Sequence, residues 1–528
     1  MSTPSTLISS NTANSSRPLR RSSNDSILSS ALSSDHSSDD LVVTPEAPAP
    51  SRSPVPPLQP VPRTPNRTVR FALDETPGDD QDEETGDRWT AEEDYLHSDD
   101  EDEGLLGRRP TSQFEFGELL ENARPKSGMK MAFMNMANSI IGAGIIGQPY
   151  AFRQAGLGMG IFLLVGLTVT VDWTINLIVI NSKLSGTKSF QATVSACFGR
   201  PGLIAISVAQ WAFAFGGMIA FCIIVGDTIP HVIYALFPSA DSNAILSIFT
   251  NRRACIVIFI LTISYPLSWY RDIAKLAKAS TLALISMLII VLTVITQGFT
   301  VPEDMKGKLG KDMLLINDGV FQAIGVISFA FVCHHNSLLI YGSLKTPTLD
   351  RFAQVTHYST GISMIACLLM AVCGFLTFGD KTEGNVLNNF PSNNVMVNIA
   401  RFCFGLNMLT TLPLEAFVCR EVVETYFFPD APFSMKRHLI FGTSHVVSAM
   451  VLSLLTCDLG VVFELIGATS ACALAYILPP LCYMKLATRS WKTYVAGATV
   501  VFGVCVMAIS VVQSFLKILR GGAEGGTC

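Results

Sequence analysis

Charge is scarce in this chain. Asp, Glu, Lys and Arg make up 15% of its 528 residues, well below the quarter or so usual in soluble domains. The charge that exists is unevenly placed. Residues 1–127 carry 24 acidic and 12 basic residues, and the remainder carries 18 acidic and 25 basic. An acidic tail therefore precedes a basic body, and nothing in either part has the pattern of a nucleic-acid partner site. Paired cysteine spacing is also missing. The thirteen cysteines are scattered, mostly in apolar runs, so neither a zinc site nor a disulfide framework is expected. They read as small apolar filler in helices. No nucleophile, metal or phosphate-loop constellation appears, which argues against an enzyme and against a bound cofactor. Residues 1–40 are Ser-rich without an apolar core, so the first membrane helix, rather than a signal peptide, is expected to direct insertion.

What the chain has in abundance is apolar runs of membrane-crossing length. Mean hydropathy is +0.41 over the whole chain, a value diluted by the polar tail. Eleven spans are predicted at about 129–152, 157–181, 203–236, 253–269, 276–300, 319–341, 358–378, 395–419, 438–456, 459–484 and 494–516, each near the length that crosses the hydrocarbon core. An extra-membrane turn is expected near Pro230 in the long third span. With the N-terminus in the cytosol, the cytosolic loops hold fourteen Lys and Arg and the far side nine, which favours that orientation. The domains are then a disordered cytosolic tail (1–125), a membrane body (127–518) and a short C-terminal tail (519–528).

The tail is too poor in apolar residues to order itself. Arg20-Arg21-Ser22-Ser23 and the Thr-Pro and Ser-Pro pairs at 44, 53, 64 and 76 resemble kinase sites. Glu101 with Leu105-Leu106 matches an acidic dileucine signal of the kind read by sorting adaptors, and Glu115 with Leu119-Leu120 repeats it. An incidental leucine pair accounts for the first match equally well and for the second better.

The first span contains Asn138-Ser139-Ile140-Ile141-Gly142-Ala143-Gly144-Ile145-Ile146-Gly147-Gln148-Pro149. Three glycines and a proline within eight residues weaken the helix where it should cross lipid. Non-helical backbone at that depth is tolerated only inside protein or along a cavity, and in secondary transporters it holds substrate and ion. The alternative is a packing surface, with small residues admitting a neighbouring helix. The sixth span is interrupted too, at Cys333-His334-His335-Asn336, polar groups that are costly in lipid unless they face protein or water. Spans one and six are corresponding positions of two five-helix inverted repeats.

These residues carry a resemblance. The first span is similar to that of the amino acid/auxin permease family, including the sodium-coupled neutral amino acid transporters and the fungal vacuolar amino-acid transporters, through Asn138 to Ile145, Pro149-Tyr150-Ala151 and Gln154-Ala155-Gly156. The sixth matches through Ser328-Phe329, Phe331-Val332-Cys333-His334 and Ile340-Tyr341, and the eighth through Thr411-Leu412-Pro413. The resemblance covers about 127–516. It departs from the family at His335, where a proline is usual, and the loops 301–318 and 379–394 lack cysteine. Both departures fit a fungal-type member better than an animal plasma-membrane one.

The resemblance implies an all-α polytopic membrane protein with a LeuT-like five-plus-five repeat, an eleventh helix, and helices 1 and 6 broken. It implies a secondary active transporter of amino acids, neutral L-amino acids in particular, working by alternating access with H+ or Na+ as coupling ion and no other cofactor. The substrate site would comprise Asn138, Ile141, Gly142, Ala143, Gly144, Ser328, Phe329 and Phe331. The ion site would comprise Asn138, Ile141 and Thr411. The expected membrane is vacuolar or lysosomal, with the plasma membrane as alternative. The expected partners are amino-acid substrate, lipid, sorting adaptors and kinases. An amino-acid sensor signalling through the tail is the rival.

Several intramembrane polar groups stay open between two roles. Glu415 and Glu464 could carry a coupling proton, or Glu415 could pair with Arg420 and Glu464 could be wetted from the far side. Asp172 and Asp227 are similar cases. Arg401, about six residues inside the eighth span, is expected to snorkel. Trp211, Phe213 and Phe215 could wall a pocket or simply pack.

Overall fold

The computed structural model describes residues 128–238, 246–270, 280–310, 312–429 and 431–521. The expected tail (1–125) and its residues Glu101, Leu105 and Leu106 lie outside them. Among the described residues all regular structure is helical. Eight helices are long and apolar enough to cross a membrane. The other three expected spans are present in shorter form. The first is split into α1 (Met129–Ile141) and α2 (Gln148–Ala155). The fourth is α5 (Arg252–Phe259), which runs on through a π-helical turn (Ile260–Ser264). The fifth is α6 (Ser280–Gly298), apolar from Ala283.

Helix α3 (Leu157–Ser185) stops at Gly186, whose φ of 69° suits the left-handed cap that glycine supplies without steric cost. Helix α4 follows after a four-residue link. It spans Phe190–Leu236, is capped by the Ser189 hydroxyl on Ala192 N–H, and kinks once at Gly199, where φ is 64°. The turn expected near Pro230 is absent: the helix continues through it. A proline in a membrane helix removes one backbone bond, and neighbouring helices make good the loss.

The second half begins with α7 (Val320–Phe331) and α8 (Ser337–Ser343), the two pieces of the sixth span. Helices α9 (Leu349–Phe378), α10 (Val395–Phe427) and α11 (Met435–Leu455) are continuous. The tenth span is α12 (Leu459–Ile466) and α13 (Leu478–Leu486), joined through two π-helical turns, and α14 (Trp491–Gly521) completes the set. The breaks therefore stand in the first span of each five-span half.

Packing centres on those breaks. Helix α1 lies on α9 and α6, α7 on α2 and α12, and α10 runs along α4. Gly325 of α7 meets Gly467, just after α12, backbone to backbone, with no room for a side chain on Gly467. Eleven cysteines are free thiols, consistent with filler. Cys457 departs from that reading, being disulfide-bonded.

Arg401 corrects an expectation. It does not snorkel; its side chain is fully enclosed. Its guanidinium donates to Asn398 Oδ1 at 2.7 Å, to Leu387 O at 2.7 Å and to Phe390 O at 2.9 Å. The loop before α10 folds back over it, so a cation near the helix end finds carbonyls before it reaches water.

Candidate functional site

The first break opens where α1 ends. Gly142 has φ 11° and ψ −140°, after which Ala143–Gly147 form a single 3-10 turn. The last α-helical bond runs from Gly142 N–H to Asn138 O, at 3.1 Å. The first two N–H groups of the new turn, of Ala143 and Gly144, precede its first internal bond and so point away from their own helix unpaired. Gln148 steadies the segment from inside: fully buried, it donates through Nε2 to Gly144 O at 3.0 Å. Sequence reading passed over Gln148, though a polar residue in an apolar run is itself a signal.

Gly144 is pressed against the sixth span. A Cβ there would fall 2.5 Å from the Cα of Ala330 and closer still to its Cβ. Opened backbone and close packing thus occur two residues apart. The backbone is opened at Gly142, and the close approach is at Gly144.

The second break follows Phe331. Val332 is extended (φ −78°, ψ 103°), Cys333 leaves the helical region, and His334–Asn336 form a 3-10 turn before α8. Val332 N–H still bonds Ser328 O at 3.2 Å, and the carbonyls after it have no following α-helical turn to bond them. His334 is fully buried and its Nε2 bonds Thr174 Oγ1 on α3 at 3.0 Å. Asn336 Nδ2 reaches Ser139 Oγ at 3.5 Å, joining the two breaks. Ser328 shares a 3.0 Å hydrogen bond with Tyr476, another group that sequence reading missed.

Aromatic rings wall the same region. Phe329 stacks on Phe463 (centroids 4.6 Å) and meets Phe213 (5.6 Å), and Phe213 also meets His335 (5.4 Å). Trp211 and Phe215 turn away, stacking on each other, and Trp211 donates to His445 Nε2. Of the three aromatics on α4, only Phe213 of this set touches the sixth-span break.

Buried polar atoms without a partner gather on the interrupted helices: Asn135 Oδ1 on α1, Gln148 Oε1 at the start of α2, and Nδ1 of both His334 and His335. Buried polar atoms are normally paired. Other unpaired atoms lie elsewhere, on Asn181, Ser363 and Gln513 for example.

The expected ion ligands are spread more widely. Asn138 is half-buried and Ile141 buried, both on α1. Thr411 is half-buried on α10, its hydroxyl donating to Asn407 O at 2.8 Å. That bond uses the proton and leaves oxygen lone pairs free to accept a cation. Helices α1 and α10 each pack on α6. One turn earlier, Pro413 deprives Leu409 of its helical partner, and Ser264 supplies the missing donor at 2.8 Å. Among the described residues no group of three His, Cys, Asp or Glu is placed to hold a metal.

The carboxylates divide. Glu464 is buried and accepts from Tyr150 at 2.9 Å, tying α12 to α2. Asp227 is bound by Arg252 at 2.9 Å, and Asp172 by His357 at 2.7 Å and Thr360 at 2.9 Å. Glu415 has no such partner among the described residues. Its Oε2 is buried without a hydrogen bond, and Arg420 instead donates to Ser268 O at 3.4 Å.

Residues 125–516 match the family model described as "Transmembrane amino acid transporter protein". "Vacuolar amino acid transporter 2" of Saccharomyces cerevisiae is 45% identical over 424 residues, covering 78% of this chain and 87% of that protein. "Putative sodium-coupled neutral amino acid transporter 11" of Rattus norvegicus is 39% identical over 394 residues, covering 73% and 86%. Among solved structures, the Eremococcus coleocola manganese transporter overlaps at a TM-score of 0.48 with 11% identity, over 75% of this chain and 89% of that one, too loosely to carry an argument.

Proposed function

The chain belongs to the transmembrane amino acid transporter family, and from that membership we propose that it is a secondary active transporter of neutral L-amino acids, driven by H+ or Na+ through alternating access. The observation that carries the reading is the pair of helix breaks, joined by Asn336 and Ser139 and pressed together at Gly144 and Ala330. Unpaired N–H groups at Ala143 and Gly144 suit an α-carboxylate. The last-turn carbonyls of Phe329 and Phe331, beyond the Ser328 carbonyl that already accepts the Val332 N–H, suit an α-ammonium. The apolar wall of Phe213, Phe329 and Phe463 favours an uncharged side chain, as does the name of the rat relative. Asn138, the Ile141 carbonyl and Thr411 supply hard oxygen donors for a sodium ion. The yeast relative supports a vacuolar membrane, and the excess of Lys and Arg in alternate loops supports a cytosolic N-terminus.

Uptake into proteoliposomes, with a panel of labelled amino acids under imposed sodium and proton gradients, tests this. No amino-acid flux under any gradient would refute it. If sodium drives uptake, Thr411→Ala should weaken the sodium dependence. The acidic, Ser- and Pro-rich tail of residues 1–127 favours a second reading, a sensor that signals through that tail. Deleting residues 1–120 separates the two, because a transporter keeps its flux.

A further inference from the structure

Four intramembrane carboxylates stand out from the rest of the chain, and three are partnered: Asp172 by His357 and Thr360, Asp227 by Arg252, Glu464 by Tyr150. Of these four, Glu415 is the one with a buried side-chain oxygen that makes no hydrogen bond among the described residues. An ionised carboxylate in that position is costly without a cation beside it. The group must therefore be neutral or be matched by a cation that arrives during the cycle.

Among the described residues its surroundings supply no fixed cation. Opposite it on α4 stands Gly217, where a Cβ would lie 3.8 Å from Glu415 Cγ and 3.9 Å from Cδ. A methyl group there would make ordinary van der Waals contact with the Glu415 side chain. Asp227, farther along α4, is already paired with Arg252. Helix α6 carries no titratable residue from 280 to 298. The fourth span offers Tyr265, whose hydroxyl bonds Thr443 at 2.9 Å. Helix α11 offers His445, whose Nε2 accepts the Trp211 N–H. On α10 itself, Cys419 lies one turn on with its thiol toward Trp211 O. Arg420 turns to Ser268 O and the Phe417 ring, with Glu421 and Glu424 as its charged neighbours.

The position also touches the transport path. Glu415 follows Thr411 by four residues, on the same helix face. Gly217 follows Phe213 by four residues, and Phe213 contacts both Phe329 and His335 at the sixth-span break. Phe213, in contact with that break, therefore stands on α4 one turn from Gly217.

We propose that Glu415 is the proton-carrying group of the transport cycle, protonated when the site faces the acidic compartment and releasing that proton on the opposite side. This rests on the transport reading above and narrows its coupling ion to H+. One proton binds a carboxylate oxygen from one face of the membrane and leaves the same oxygen to the other; no other bond changes. An Oε2 that is enclosed and unpaired suits the proton-loaded form. The Gln replacement keeps that form's size and neutrality but can release no proton.

The test uses full-length protein in proteoliposomes, with labelled L-alanine, L-leucine, L-glutamine and L-phenylalanine. Each is measured in gradient-free counterflow and in uptake against an imposed pH difference. For one proton per substrate, one pH unit supports an accumulation ratio of about tenfold. Glu415→Gln should keep counterflow within about twofold of wild type, yet its accumulation ratio should fall to about one, and Glu415→Asp should restore part of it. Trapped pH dye should report substrate-evoked proton movement in wild type and none in Glu415→Gln. Accumulation by Glu415→Gln equal to wild type overturns the proposal. So does wild-type accumulation driven by sodium and indifferent to pH, which leaves the transport reading intact. So does loss of counterflow and accumulation together in Glu415→Gln with no recovery in Glu415→Asp, the mark of a structural role. Absence of wild-type counterflow with every substrate would count against the transport reading itself and take this proposal with it.

Discussion

Gly144→Ala adds one methyl group at the tightest junction between the interrupted helices. The new Cβ would stand 2.5 Å from Ala330 Cα and 3.1 Å from Ala330 N. Ordinary carbon contacts need about 3.5 Å or more, so the first and sixth spans must part by roughly 1 Å. The neighbour that gives way is backbone, which cannot rotate aside. Overpacking of this kind costs about 1–3 kcal/mol. If the cost falls on the closed arrangement of the two breaks, about 1.4 kcal/mol corresponds to tenfold in its population, and the expected loss of flux is on the order of five- to a hundredfold. Flux per correctly folded transporter, with size-exclusion behaviour as the folding control, measures it. Ala330→Gly in the same chain is the informative companion. It removes the Ala330 methyl but leaves the Cα in place, so rescue should be partial at most. Full rescue, or normal flux in Gly144→Ala alone, would refute a backbone-to-backbone junction. Because Gly144 packs, its loss of function reports on this junction and not on a ligand's carboxylate.

Two further predictions concern stability in detergent. Arg401→Met should lower the unfolding temperature, because the Leu387 and Phe390 carbonyls lose their donor at about 1–3 kcal/mol for each buried group; Arg401→Lys should recover little, lacking the planar fork, and an unchanged midpoint in Arg401→Met would refute the clamp. Ser264→Ala should cost a comparable amount by orphaning Leu409 O. Pro413→Ala in the same chain supplies a new N–H to that carbonyl, so the pair should be non-additive by about 0.5–3 kcal/mol, and simple additivity of the two changes would refute the assigned compensation.

The helix breaks were legible because their cause is local. Gly142, Gly144, Gly147 and Pro149 oppose a continuous helix whatever surrounds them, and His334, His335 and Asn336 are costly in lipid in any fold. What could not be read was which neighbour each residue meets. Pro230 looked like the end of a helix, since a proline removes a backbone donor, yet α4 absorbs it. Arg401 was expected to reach the interface because it lies near a helix end; the loop at 387–391 folds over it instead, a fact set by tertiary packing.

Glu415 shows the same limit from the other side. Its pairing with Arg420 was a fair expectation from five residues' separation. On a helix that spacing puts the two side chains on different faces, and Arg420 turns to Ser268. The sequence marked a carboxylate in a membrane helix as costly. Only the arrangement around it, with Gly217 opposite and Asp172, Asp227 and Glu464 each satisfied elsewhere, reveals that its cost is left uncompensated. An uncompensated charge site survives in a membrane helix when the compensation is mobile, and a proton is the smallest mobile group that supplies it.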